Sequence, residues 1–132
     1  MGRDYQIRES AATAAREIKA TAHYAYIVNG VTLDGSAFAT DELVLEGQTL
    51  VKETATGKYV KYPGNEAGAF PAGYTDPVIL DESVQFRNIE GVNPDVTVGQ
   101  VLVHGAVYAG MCIGLDTAFE EKLAGAIRFV RN

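Results

Sequence analysis

The chain has 132 residues, 47% of them hydrophobic and 21% charged, with a net charge of −6. That length suits one domain able to bury a core without staples. No apolar run approaches the ~20 residues that cross a bilayer as a helix, and the acidic balance argues against a surface for nucleic-acid phosphates.

The first 20 residues carry Arg3, Arg8, Arg16 and Lys19 against Asp4, Glu9 and Glu17, a net charge of +1, which leaves −7 for the remainder. Within "RDYQIR", residues 3–8, Tyr5 and Ile7 share one face of an alternating pattern, with Asp4, Gln6 and Arg8 on the other. This is a strand pattern with no neighbour in the sequence to pair with. Behind it, "SAATAAREIKATA" favours helix through its alanines, but Ile18 is its only large apolar side chain, too little to bury a helix by itself. Residues 1–22 are therefore expected to form a flexible N-terminal arm, and residues 23–132 a β-rich body.

The body opens with "HYAYIVNGVTLDG". Asn29-Gly30 between apolar flanks predicts a hairpin, because both residues tolerate positive φ. A looser stretch, "SAFATDELVLEG", leads into "GQTLVKETATGKYVKY". Here Leu50 and Val51 lead into a turn ending at Gly57, and Tyr59 and Val60 lead out. Its lysines are expected to keep an exposed strand edge soluble. Residues 62–77 hold three of the four prolines and predict a long loop that is neither helix nor central strand. "VILDESVQF" and "VTVGQVLVHGAVYAGMCI" are strand material, with Gly99, Gly105 and Gly110 marking bends or bulges. The helix predicted in the body is C-terminal: Thr117 and Glu120 fit a capping box, and Phe119, Leu123 and Ile127 share a face.

Little in this order points to catalysis. His104 and Cys112 share a glycine-rich region, but eight residues of strand would hold them far apart, and a small packed thiol is the expectation for Cys112. His23, His104 and Cys112 lack metal-ligand spacing. No phosphate-binding glycine motif joins a strand to a helix. The expectation is a protein without enzymatic activity, cofactor or metal.

The order of short pieces over residues ~45–130 resembles the head decoration proteins of tailed bacteriophages, the family of the phage lambda decoration protein. A glycine-led strand "EGQTLVK" precedes a hairpin with a "TATGKY" turn. A small-residue loop, the strand "DPVILDESV", an acidic turn and "VLVHGAVYAGMC" follow, and an amphipathic helix ends in "AIRFV". The family's members begin closer to the hairpin, so the portion before about Asp34 is an addition or a diverged arm. The resemblance implies a mainly β, β-clip-like fold of bent hairpins with one short C-terminal helix. It also implies a homotrimer that binds the major capsid protein on the outside of the expanded head, as a cement made in the bacterial cytoplasm and carried on the virion. Nucleic acid, membrane and cofactor are not expected as partners. The arm, with Arg3, Tyr5, Ile7, Arg8 and Ile18, is the implied capsid-binding element, docking by strand addition to an exposed sheet edge. The competing expectations are a small-ligand or carbohydrate-binding β module, with Tyr62, Phe70 and Tyr74 as a stacking rim, and another virion part such as a connector or tail component.

Overall fold

The computed structural model describes residues 17–131. Over these residues the chain is mainly β, with one short α-helix near the C-terminal end, as the sequence predicts. The strands are β1 (Ala25–Tyr26), β2 (Val31–Leu33), β3 (Leu43–Val44), β4 (Thr49–Glu53), β5 (Tyr59–Lys61), β6 (Tyr74–Leu80), β7 (Val84–Gln85), β8 (Val96–Val98), β9 (Val101–Tyr108) and β10 (Ile127–Val130), and the helix is α1 (Thr117–Lys122). A curled sheet runs in the order β1-β9-β6-β4-β5-β2-β8, with β10 parallel to the second half of β9. β3 and β7 form a separate two-stranded ladder.

Neighbouring residues on the central strands enter opposite cores. Leu50, Leu80 and Val101 join a cluster with Leu33, Val44 and Phe86. Val51, Ile79 and Leu102 join a second cluster with Ile18, Val107 and Phe119. A strand alternates its side chains between two faces, and here both faces are covered. That double burial is why "VIL" and "VLV" read as apolar runs and not as alternation.

The predicted hairpin forms. Val51 pairs with Val60 across β4 and β5, and Gly57 closes the turn at φ 74°. Its position differs from expectation. β4 lies between β6 and β5, and β5 lies between β4 and β2, so the lysines do not guard an open edge. They are ion-pair partners of other segments instead. Lys52 Nζ lies 2.7 Å from Asp76, Lys58 Nζ lies 2.7 Å from Asp95, and Lys61 pairs with Glu42.

Three other expectations are corrected. Asn29 and Gly30 do turn with positive φ, but β1 pairs with β9 while β2 pairs with β8 and β5, so no hairpin joins them. Gly30 instead lets two backbones approach, since a Cβ there would stand 2.1 Å from the Val98 carbonyl oxygen. The loop of residues 62–77 is shorter than predicted, because β6 begins at Tyr74 and includes Pro77. The proline is tolerated where the β4–β6 register shifts between Leu50 and Lys52, next to Asp76 at φ 46°, which is the bulge setting that accepts a missing N–H. The helix is capped by Asp116, whose carboxylate accepts from the Phe119 N–H, and Ile127 belongs to β10 and not to the helix.

Candidate functional site at the N-terminal anchor

Arg3, Tyr5, Ile7 and Arg8 lie outside the described residues, whereas Ile18 lies inside the body. It is fully buried in the second core cluster with Leu102, Val107 and Phe119. Its carbonyl accepts from the Tyr108 N–H at 2.8 Å, and the Ala20 N–H donates to the Ala106 carbonyl at 2.8 Å, so Lys19 bridges Val107 in antiparallel register. The body therefore takes in Ile18, Lys19 and Ala20, which the sequence placed on the arm. The sequence signal was present: an isolated large apolar residue among alanines is what a single anchoring contact requires. Its own helical periodicity was too weak to show what it would touch.

Lys19 adds a polar clamp beside the apolar one. Its Nζ lies 2.7 Å from Oδ2 of Asp81, a carboxylate whose side chain is 1% exposed, and the Tyr26 hydroxyl donates to the same oxygen at 2.6 Å. Burial alone would lower the Lys19 pKa. The hydrogen bond to Asp81 and its negative charge overcome that and hold it above its usual value. The Tyr26 phenol is pushed up by burial first and by Asp81 second. The Lys19 ammonium also stands 4.8 Å from the Tyr24 ring centre. Asp81 follows β6 directly and its N–H donates to the Gln100 carbonyl, so the N-terminal stretch is tied to the middle of the sheet.

An open groove of about 1180 Å³ begins at Glu17. Its apolar lining comes from Tyr108, Met111, Cys112, Leu115 and Val130, all half-buried. Glu120 and Arg131 pair across one wall. Asp116 holds another part of the lining in place, accepting from the Phe119 N–H, the Tyr62 hydroxyl and Asn65. Burial works against the Asp116 charge, but these donors outweigh it and lower its pKa. The Cys112 thiol is half-buried and donates to the Tyr108 carbonyl at 3.6 Å. His104 is exposed on β9.

The aromatic residues expected as a stacking rim are packed. Tyr62 is 6% exposed, stacks on Phe70 with ring centres 5.7 Å apart, tilts onto Phe119 and donates its hydroxyl to Asp116. Among the described residues no cluster of three or more His, Cys, Asp or Glu side chains is arranged to hold a metal ion. Among the described residues the most exposed large apolar side chains lie at two tight turns. Val28 is 82% exposed, and Ile89 and Val92 are 62% and 63% exposed where they bridge around Glu90-Gly91. Sequence reading singled out neither Ile89 nor Val92, although "IEGV" carries the turn chemistry that places them at a tip.

Comparisons with protein-family models, with curated proteins and with solved structures find no match to this chain.

Proposed function

We propose that this protein is a capsid decoration protein of a tailed phage, binding the outside of the expanded head as a trimer and cementing the shell. The observation that carries the reading is the anchor at Ile18 and Lys19. A segment with a strand-like pattern, Tyr5 and Ile7 on one face, is joined through an alanine-rich stretch to a point fixed by a buried side chain and a salt bridge. A tether of that kind transmits load from whatever the strand docks on to the centre of the sheet. Strand addition to the major capsid protein would satisfy the backbone groups of residues 3–8.

Two further features support it. Of the collinear pieces, "EGQTLVK", "DPVILDESV" and "VLVHGAVYAG" contain the neighbouring strands β4, β6 and β9, and "TATGKY" is the turn that leads from β4 into β5. The apolar tips at Val28 and at Ile89 and Val92 are the kind of surface that a symmetric contact between copies buries. The test is electron microscopy of expanded heads assembled with and without this protein. The reading requires added density at threefold positions on the outer surface, and heads that look the same either way would refute it.

A further inference from the structure

We propose that Asn29 is a modification site, where the folded chain loses the side-chain amide through attack by the Gly30 backbone nitrogen and acquires aspartate or isoaspartate. This inference holds whether or not the decoration reading does.

The fold itself demands the reactive pair. At this corner the chain leaves β1, which pairs with β9, and enters β2, which pairs with β8. Both corner residues have left-handed backbone, with φ 69° at Asn29 and 70° at Gly30, a region that asparagine and glycine enter at the least cost. Position 30 also lies against a neighbouring strand, where a Cβ would stand 2.1 Å from the Val98 carbonyl oxygen. The close approach that requires glycine there also removes the side chain that would shield the glycine nitrogen. The Gly30 N–H donates to the Ile27 carbonyl at 3.3 Å, a long bond that is cheap to release.

The reaction needs only water and base. The Gly30 nitrogen gives its proton to solvent and bonds to Asn29 Cγ, the Cγ–Nδ2 bond breaks, and the amide nitrogen takes a proton from solvent and leaves as ammonia. Water then opens the five-membered imide. Cleavage of the new bond gives aspartate, and cleavage of the original peptide bond gives isoaspartate, with the main chain running through Cγ. The other described asparagines are held back from this step. Asn65 Nδ2 donates to Asp116 and its Oδ1 accepts from the Gly68 N–H, while Asn88 Nδ2 donates to both oxygens of Asp41. Asn93 is buried with its Nδ2 2.9 Å from the Ala39 carbonyl, and Pro94 after it has no N–H to lose. Asn29 is exposed, and among the described residues its carboxamide has no hydrogen-bond partner. Isoaspartate would lengthen the main chain at a corner packed against Val98 and so disturb the β2–β8 ladder, whereas aspartate keeps the backbone.

The test holds the full-length protein in mildly alkaline buffer and follows the amide-to-acid mass gain at each asparagine by peptide mapping. A short peptide spanning residues 27–32, treated in parallel, sets the time scale. The inference predicts conversion at Asn29 roughly tenfold or more faster than at any other described asparagine. Comparable or faster loss at Asn65, Asn88 or Asn93 would overturn it, as would an Asn29 still intact when the peptide is fully converted. The aged protein should also melt below an Asn29→Asp variant, which carries the same new charge on an unaltered backbone. Equal melting temperatures would overturn the claim that this corner has no room for the isoaspartate.

Discussion

Lys19 Nζ and Asp81 Oδ2 stand 2.7 Å apart, and through that contact the first described residues of the chain are fixed to the end of β6. The pair is uneven, since the Asp81 side chain is 1% exposed and that of Lys19 is 16% exposed. Asp81 depends on its partners, with Tyr26 supplying a second donor to the same oxygen. Removing the cation leaves a buried carboxylate with the tyrosine alone.

Lys19→Ala should therefore cost about 3 kcal/mol, the lower end of what unpairing a buried charge costs, because Tyr26 still donates. Denaturant melts of Lys19→Ala and of the double variant Lys19→Ala/Asp81→Asn measure it. The account expects the second substitution to recover part of the loss, and an additive double variant would show that the two groups do not act together.

Ile18→Ala should cost about 2–5 kcal/mol, because the side chain is wholly buried between Leu102, Val107 and Phe119. Deleting residues 1–9 should leave the melting temperature nearly unchanged while abolishing shell attachment. Thermal melts and shell pelleting on the two variants separate the anchor from the strand it tethers.

Asp116 gives a pH dependence with a definite sign. Its carboxyl is held below its usual pKa by donors from Phe119, Tyr62 and Asn65, against the opposing effect of burial. The stability it contributes is thus fully present above its unfolded value, near 4, and is lost as pH falls through the lower folded value. Asp116→Asn keeps a capping side chain but cannot ionise. Urea melts should find the variant less stable at neutral pH and the gap closing below about pH 4. A gap that widens in acid would contradict the assignment.

Two glycines with similar φ should respond differently. Gly57 at φ 74° has open space around the position of a Cβ, so Gly57→Ala should cost about 1–2 kcal/mol for the left-handed backbone alone. At Gly30, φ 70°, the same atom would meet the Val98 carbonyl oxygen at 2.1 Å, and the β2–β8 ladder must shift. Melts should place Gly30→Ala clearly below Gly57→Ala in stability.

Local signals were legible wherever the chain meets itself nearby. Gly57 and the residues around it specify the β4–β5 turn, and "NG" specifies the positive φ values at Asn29 and Gly30. What strand follows such a turn is a non-local matter: β2 leaves Gly30 to pair with β8, whose residues are more than 60 positions away in the sequence. Pro77 shows the same limit, since a proline reads as a strand breaker until the facing strand supplies a bulge. The three hairpin lysines read as solubility groups because Glu42, Asp76 and Asp95 come from separate segments. Of the candidate site, Ile18 was visible as a lone apolar residue. Its partners on β9 and Asp81 beside Lys19 were not, because no periodicity encodes a clamp between residues 62 positions apart.

The central claim is that the protein prefers the expanded shell, since a cement stabilises only the state it binds better. Under the proposed function, the direct measurement adds purified protein to unexpanded and to expanded tailed-phage shells and determines bound copies and the temperature of shell disruption. The account predicts strong binding to the expanded form, little to the unexpanded one, and a raised disruption temperature at full occupancy. At a hundredfold excess over Kd the stabilisation should reach about 2.7 kcal/mol per site. Equal binding to both forms, or an unchanged disruption temperature with every site filled, would contradict it.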